Sequence, residues 1–217
     1  MAAKGGLGIG LSALFDDNTT DSAASQTLRL SEIEPNRSQP RKKFDDESIS
    51  ALADSIKRHG ILQPLLVRPY GSGYQIVAGE RRWRAARMLG MTEVPVQIRE
   101  FSDSESMQIA LIENLQRENL NPIEEAQGYF ELMESFGMTQ DEISKTVGRS
   151  RSAVANAIRL LNLPEKIRDM LEDGDLTVGH AKALMAFDDE GLMTEAAEKA
   201  WGGRLTVREL EKMAQNR

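Results

Sequence analysis

The alternation of apolar and polar residues divides the chain into a part with short strands and a part that is entirely helical. In the first part, ILQPLLVRP, YQIVAG and VPVQIRE are short β-rich runs, and the first two are joined by a turn at 70–73. Apolar residues between positions 49 and 56 recur at helical spacing, and Gly60 ends that predicted helix. GERRWRAARMLG, between the second and third runs, has helix-forming content. This pattern predicts a small α/β domain with its strands in one sheet.

From residue 102 the pattern becomes helical throughout. Ser102 and Glu105 form a capping-box pattern before an apolar run. Helix breaks are predicted at Asn121-Pro122, Gly137, Gly148, Pro164 and Gly174. Residues 16–26 are small and polar without an apolar face, which indicates a flexible tail. We therefore predict a tail at 1–25, an α/β domain at 26–120 and an all-α domain at 121–217.

Composition narrows the class of protein. The 217 residues contain no cysteine, which excludes disulfides, thiolate metal sites and cysteine nucleophiles. The two histidines are too few and too far apart to suggest a metal site. A net charge of −7 argues against a uniformly cationic nucleic-acid coat. No apolar run approaches the roughly 18 to 20 residues of a membrane span, and no signal peptide is evident. We expect a soluble cytoplasmic protein.

The segment TQDEISKTVGRSRSAVANAIRLLNLP has the pattern of a helix-turn-helix. Thr139 and Glu142 form a capping box, Gly148 lies at the turn, and Ser150 can cap the second helix. Between residues 139 and 163, four basic and two acidic residues give a net charge of +2 within an acidic chain. The pattern favours a DNA-reading unit over an ordinary αα-hairpin with a solvated polar face, and both interpretations stay open.

Two faces of the second helix can be assigned from spacing. Val154, Ile158 and Leu161 are predicted to pack inward. The other face is predicted to be exposed, and its side chains suit phosphates and base edges in a major groove. Its residues are Arg151, Ser152, Ala155, Asn156 and Arg159.

A candidate anion site lies where the second predicted strand ends and a helix begins. No GxxxxGK[ST] motif occurs, which excludes a Walker-type site. Instead, Gly79 and Glu80 precede Arg81 and Arg82, so backbone N–H groups, the positive helix end and two guanidiniums favour a phosphate. The alternative is an ordinary helix start with solvated arginines, and GERR by itself favours that alternative.

Further phosphate- and metal-compatible groups accompany this motif. Glu113 and Asn114 are oxygen donors of the kind that Mg²⁺ accepts. The alternative is a helical ion pair between Glu113 and Arg117, worth about 0.2 to 0.5 kcal/mol. A QPR tripeptide at 39–41 supplies a third set of groups.

Taken in order, six segments resemble the ParB family of bacterial chromosome-partition proteins. They are QPR at 39–41, HGILQPLLVR at 59–68, AGERRWRAA at 78–86, ENLQRENLNPIEEA at 113–126, the helix-turn-helix, and VGHAKAL at 178–184. The resemblance covers roughly residues 26–217. It implies a sulfiredoxin-like mixed sheet followed by a helix-turn-helix domain. The implied activity is that of a DNA clamp that binds the palindrome parS, binds and hydrolyses CTP with Mg²⁺, and slides on DNA.

The resemblance also assigns residues. The implied CTP positions are Gln39, Arg41, Ser55, Gly60, Gly79, Glu80, Arg81, Arg82, Glu113, Asn114 and Arg117. Within this set, Glu113 and Asn114 would serve the metal, and Glu80 and Glu113 would serve hydrolysis, with a purely structural Glu80 as the alternative. The implied DNA-binding positions are Arg149, Ser150, Arg151, Ser152, Asn156, Arg159, Gly179 and His180. For His180 the alternative is a helix-packing histidine.

The implied partners are parS DNA, a second copy of the chain, a ParA-type ATPase and SMC/condensin. The implied location is the nucleoid in the cytoplasm, with no membrane partner. The GLGRGL-like motif through which ParA is stimulated carries Ile9 where the family has a basic residue. The sequence ends at LTVRELEKMAQNR without the family's dimerisation domain, so we expect a truncated chain or dimerisation through other parts.

Three functions are alternatives to a CTP-dependent clamp. A nucleotide-independent helix-turn-helix regulator would ignore CTP, and a nucleoid-occlusion paralogue would read another DNA sequence. A small-molecule kinase of the same fold would consume ATP without DNA. The absence of cysteine removes sulfiredoxin chemistry.

Overall fold

The structure is a computed structural model of the chain, and it describes residues 26–36, 46–117 and 120–215. The backbone divides into two compact units, and the division falls after Gln116. The segment predicted to be a tail, 1–25, lies outside the described residues, as do Gln39 and Arg41.

The described part of the first unit contains one mixed sheet of five strands in the order β1-β5-β3-β4-β2. The strands are β1 (Gln26–Arg29), β2 (Ile33–Glu34), β3 (Leu65–Tyr70), β4 (Gly73–Ala78) and β5 (Glu93–Ile98). β3 pairs antiparallel with β4 and parallel with β5. The three predicted strands are confirmed and lie together. β1 and β2, which the pattern did not predict, are the two edges, and such short strands barely show a period of two.

The described residues of the first unit form three α-helices: α1 (Asp46–His59), α2 (Glu80–Met88) and α3 (Asp103–Leu115). α1 packs on α2 through Ile49, Ala53 and Ile56, which contact Ala85. This packing confirms the predicted amphipathic helix. α3 begins at the predicted capping box, in which the Ser102 hydroxyl accepts from the backbone N–H of Glu105.

A buried arginine ties the start of α3 to the sheet. Arg68 on β3 is 7% exposed. Its guanidinium donates to Gln75 Oε1 at 2.8 Å, to the carbonyl of Phe101 at 3.1 Å and to Asp103 Oδ1 at 2.5 Å. Because a buried guanidinium is stable only with its donors paired, this network fixes the first residue of α3 against β3 and β4.

The second unit is helical, as predicted. Its helices are α4 (Pro122–Glu134), α5 (Gln140–Val147), α6 (Arg151–Arg159), α7 (Glu165–Glu172), α8 (Val178–Leu184), α9 (Glu190–Ala200) and α10 (Val207–Gln215). The predicted breaks fall between helices or, at Asn121-Pro122, at the start of α4. Three of them are glycines with φ between +65° and +79°, Gly137, Gly148 and Gly174. Across the described ranges, no helix combines the length and apolar character needed to cross a membrane.

The inward face predicted for α6 is only partly right. Val154 is fully buried, and Leu161 is half-buried and packs against the core, as predicted. Ile158 is only half-buried, and Leu160 and Leu163, which were not predicted to face inward, are buried in the core. α6 ends at Arg159, and a 3₁₀ turn over Leu160–Asn162 follows it. Because a 3₁₀ turn has three residues per turn rather than 3.6, the α-helical spacing stops indicating which side chains face inward.

Candidate functional site

The start of α2 has the geometry that the anion-site interpretation requires. β4 ends at Ala78, and Gly79 follows as the N-cap in the left-handed region with φ +99°. Gly79 has no side chain with which to cap this helix. A first helical turn without a capping side chain presents backbone N–H groups and a positive partial charge. A Cβ at position 79 would lie 3.1 Å from Arg82 Nη2, so glycine also lets this guanidinium approach the backbone.

Arg82 lies folded against the loop that follows α1. Its Nη1 donates to the carbonyl oxygens of Gln63 and Pro64 at 2.6 and 2.8 Å. Burial lowers the pKa of Arg82, and the nearby Glu113 carboxylate partly opposes that shift. The structure therefore brings together the helix start, the loop after Gly60 and the end of α3. It also shows that at least one Arg82 nitrogen serves the loop backbone.

Arg81 points to α1. Its Nη2 donates weakly to the backbone carbonyl of Ser48 at 3.4 Å, while its Nε is buried and has no hydrogen-bond partner among the described residues. Ser55 is half-buried and lies two turns after Ser48, hence on the same side of α1. A buried donor without an acceptor costs about 1–3 kcal/mol. An anion bound here is the kind of group that would satisfy it.

Glu80 is the first residue of α2 and is 8% exposed. Arg84, one turn later, donates from Nε and Nη2 to the same carboxylate oxygen, Glu80 Oε1, at 2.9 and 2.6 Å. This ion pair fixes the orientation of a buried carboxylate beside the open helix start. Sequence reasoning did not single out Arg84, although its i,i+4 spacing from Glu80 is the signal that could have found it.

Glu113 and Asn114 lie near the end of α3, Glu113 exposed and Asn114 half-buried. Within the described ranges, no group of three acidic or histidine side chains could hold a metal by itself. Arg117 is half-buried and belongs to the second unit.

The helix-turn-helix is built from capped helices. Thr139 and Glu142 form the predicted capping box at α5, Gly148 ends α5 with φ +67°, and the Ser150 hydroxyl accepts from the N–H of Ala153 to cap α6. The Thr139 hydrogen bonds lower the pKa of Glu142. These three predictions are confirmed, and each depended on residues adjacent in sequence.

The predicted DNA-facing residues lie together on and before α6. Arg149, Ser150, Arg151, Ser152 and Arg159 are exposed, and Asn156 is half-buried. The hydroxyls of Ser150 and Ser152 are 3.1 Å apart. α6 thus offers guanidiniums and short polar groups on one exposed face, which is the chemistry that groove reading needs.

His180 and Gly179 have internal contacts. The Leu205 carbonyl can only accept, so His180 Nε2 donates to it at 3.2 Å, while Nδ1 accepts from the N–H of Thr177 at 3.2 Å. A Cβ on Gly179 would lie 3.1 Å from Val207. In this structure both residues have the contacts that the helix-packing alternative requires.

A small mixed sheet with an open helix start, followed by a capped helix-turn-helix with an exposed basic face, defines a two-domain DNA-binding protein of the helix-turn-helix class. Residues 15–115 match the ParB N-terminal domain and residues 118–217 match the ParB HTH domain. The chain belongs to the ParB family of chromosome-partitioning proteins.

Individual relatives support this membership. The chain is 51% identical over 197 residues to the chromosome-partitioning protein Spo0J of Thermus thermophilus, covering 91% of this chain and 69% of that one. It is 47% identical over 215 residues to a probable chromosome-partitioning protein ParB of Neisseria meningitidis, covering 98% and 75%.

A solved structure is also similar. C-terminally truncated ParB from Caulobacter crescentus, complexed to the centromeric parS site, is 44% identical and superimposes with a TM-score of 0.78 over 89% of this chain and all of that one. The same truncated protein complexed with CTP-γ-S is 45% identical over 79% and 98% of the two chains, but its TM-score of 0.41 is too low to compare the sites.

Proposed function

We propose that this chain binds the parS palindrome and acts as a CTP-dependent sliding clamp that slowly hydrolyses CTP. The observation that carries the proposal is the open start of α2 in a chain that also has a helix-turn-helix. Beside it lies the buried Nε of Arg81, which has no hydrogen-bond partner in the part of the chain that the structure describes. Two copies meet on the palindrome, and CTP then joins their amino-terminal domains into a ring that moves onto flanking DNA on the nucleoid.

On the DNA side, the support is the exposed face of α6. Arg151, Ser152 and Arg159 extend from a helix of the type that enters a major groove. The Caulobacter relative, which superimposes well, is complexed to parS. Residues 139–163 carry a net charge of +2 within a chain of net charge −7, which supports attraction of DNA by this region.

On the nucleotide side, the backbone N–H groups at Gly79 and the guanidiniums of Arg81 and Arg82 would hold the phosphates, with Gln39, Arg41, Ser55, Gly60 and Arg117 as further family positions. Glu113 and Asn114 would hold Mg²⁺, which supplies charge stabilisation to the phosphate oxygens. Glu80, whose orientation is fixed by Arg84, would orient a water or accept its proton. ParA-type and SMC partners remain part of the proposal by family membership.

The decisive experiment is hydrolysis of each of the four NTPs with no DNA, with a parS duplex and with a scrambled duplex. We expect the chain to hydrolyse CTP and none of the other three nucleotides. We also expect the parS duplex, but not the scrambled duplex, to raise the rate of CTP hydrolysis. ATP consumption that ignores DNA would instead indicate a small-molecule kinase. No heat of binding for CTP and Mg²⁺ in calorimetry, with parS binding intact, would leave only a DNA-binding protein.

A nucleotide-independent regulator is the second candidate. Two contacts favour it: Arg82 holds the carbonyls of the loop at 63–64, and Glu80 is paired with Arg84, so both motif residues have structural partners without a ligand. The same hydrolysis experiment distinguishes this candidate from the clamp, because a nucleotide-independent regulator would not hydrolyse CTP. Varying the DNA sequence identifies a nucleoid-occlusion paralogue, which would read a different palindrome.

A further inference from the structure

A buried phenol on α4 lies one helical turn from a partly buried carboxylate. Tyr129 is 1% exposed, and its hydroxyl donates to Glu125 Oε1 at 2.5 Å. Burial and this carboxylate raise the pKa of Tyr129. The phenol therefore stays protonated across the physiological range, and it is a permanent donor that keeps the Glu125 carboxylate in one place.

The same carboxylate oxygen faces the turn of the helix-turn-helix. Arg149 Nε lies 3.9 Å from Glu125 Oε1, and the guanidinium also influences the pKa of Tyr129. Arg149 follows Gly148, and its backbone N–H donates to the carbonyl of Ser144 at 3.0 Å. Its backbone is thus fixed at the end of α5, while its side chain, 62% exposed, extends toward solvent immediately before α6.

We propose that Tyr129 and Glu125 are positioning residues that aim Arg149 at the phosphate backbone of bound DNA. The inference rests on the proposed DNA-binding role of the helix-turn-helix. An arginine side chain loses rotamer freedom when it binds a phosphate, and a carboxylate near Nε restricts the stem before binding. The guanidinium has five N–H donors, so a contact at Nε leaves terminal N–H groups to bind phosphate oxygens.

The Tyr129 hydroxyl is needed because the Glu125 carboxylate that it holds is negatively charged, as are the DNA phosphates. An unrestrained carboxylate near the DNA face could approach the phosphates and repel them, whereas a carboxylate held by a buried hydroxyl stays beside the arginine stem. Loss of the hydroxyl alone should therefore affect DNA binding through Arg149, although Tyr129 itself has no exposed surface with which to touch DNA.

The test is the salt dependence of parS-duplex binding in a double-mutant cycle. Tyr129→Phe keeps the ring in the core and removes only the hydroxyl. We expect about two- to fivefold weaker binding, the range of an exposed ion pair. We also expect the slope of log affinity against log salt to fall toward that of Arg149→Ala, which loses about 0.9 for one phosphate contact. In an Arg149→Ala background, Tyr129→Phe should have no further effect.

The matched control is Tyr74→Phe, which removes a hydroxyl from β4 in the other unit and should change neither affinity nor slope. A purely structural role for Tyr129 would lower the melting temperature while leaving the salt slope unchanged, and that result would overturn the inference. So would equal losses from Tyr129→Phe in the wild-type and Arg149→Ala backgrounds.

Glu125→Gln enters a second cycle with Arg149→Ala, so that the inference does not depend on one variant folding. The amide can still accept from the Tyr129 hydroxyl but has no charge for Arg149. We expect the effects of Glu125→Gln and Arg149→Ala on parS affinity not to add, and strict additivity would contradict the positioning role. If the wild-type chain itself fails to bind parS, the proposed function fails, which is a different outcome from a wild type that binds and a cycle that shows no coupling.

Discussion

The start of α2 and the start of α6 are two solutions to the same problem, the unsatisfied N–H groups of a first helical turn. At α6 the Ser150 hydroxyl accepts from Ala153 N–H, so the protein satisfies its own backbone. At α2, Gly79 offers no side-chain acceptor. α6 must therefore act through its exposed side chains, whereas α2 can act through its backbone and through the half-buried Arg81 and Arg82.

The largest expected effect lies at α2. Arg82→Ala should weaken binding of CTP-γ-S with Mg²⁺ by about 30-fold or more, since truncating one partner of a buried charge contact costs about 2–5 kcal/mol. Affinity for a parS duplex should stay within about twofold, and calorimetry measures both. Arg87→Ala, which removes an exposed guanidinium 5.4 Å above the Trp83 ring on the same helix, is the control. If nucleotide affinity is unchanged in Arg82→Ala, Arg82 does not bind the nucleotide and serves only to hold the loop at 63–64.

Arg84→Gln sharpens the comparison by separating binding from turnover. Without the two contacts to Glu80 Oε1, the carboxylate loses its fixed orientation, and CTP turnover should fall by about 10- to 100-fold. Affinity for CTP-γ-S should change by less than about threefold, because Arg84 is not among the phosphate-binding groups. Arg99→Gln, an exposed arginine just after β5, should change neither quantity. A parallel fall in affinity and turnover would assign Arg84 to binding or folding.

At α6 the prediction concerns a side chain. Arg151→Ala should weaken parS binding by about 1–3 kcal/mol if the guanidinium reads a base, with no change in CTP-γ-S affinity. A salt titration on parS and on a scrambled duplex measures the effect. Lys199→Ala, which removes one cation from α9, is the charge-matched control. An equal loss on both duplexes, with a slope reduced by about 0.9, would make Arg151 a phosphate contact instead.

The smallest effect is expected from a cap. Thr139→Ala removes the hydroxyl that accepts from Glu142 N–H and should lower the free energy of unfolding by about 1 kcal/mol. Thermal melting followed by circular dichroism detects this. Thr194→Ala removes a hydroxyl that donates to the Glu190 carbonyl within α9, where no cap is lost, and should be nearly neutral. Equal destabilisation by both changes would mean that the capping box contributes nothing particular.

Features decided by neighbouring residues could be predicted from the sequence. The capping boxes at Ser102 and Thr139, the helix end at Gly60 and the three longer strands all follow from spacing within a few positions. β1 and β2 could not be predicted, because strands of four and two residues are defined by their partners in the sheet. The burial of Leu160 and Leu163, just after α6, was missed for a related reason, since the change to a 3₁₀ turn depends on packing.

The candidate nucleotide site shows the same limit. The sequence indicated that Gly79, Arg81 and Arg82 open a helix. It could not show that Arg82 holds the carbonyls of Gln63 and Pro64, or that Glu113 lies near Arg82, because these groups are far apart in the chain. Such contacts depend on how the sheet and helices pack, and no local pattern encodes them.

Arg68 anchors the first turn of α3 to the sheet through its contacts with Phe101 and Asp103. Ile109, Ile112 and Leu115, further along the same helix, are also buried. α3 is therefore held at its start and along its buried face, and Glu113 has a defined position before any ligand arrives. A ligand that used Glu113 would not have to spend binding free energy on ordering this helix.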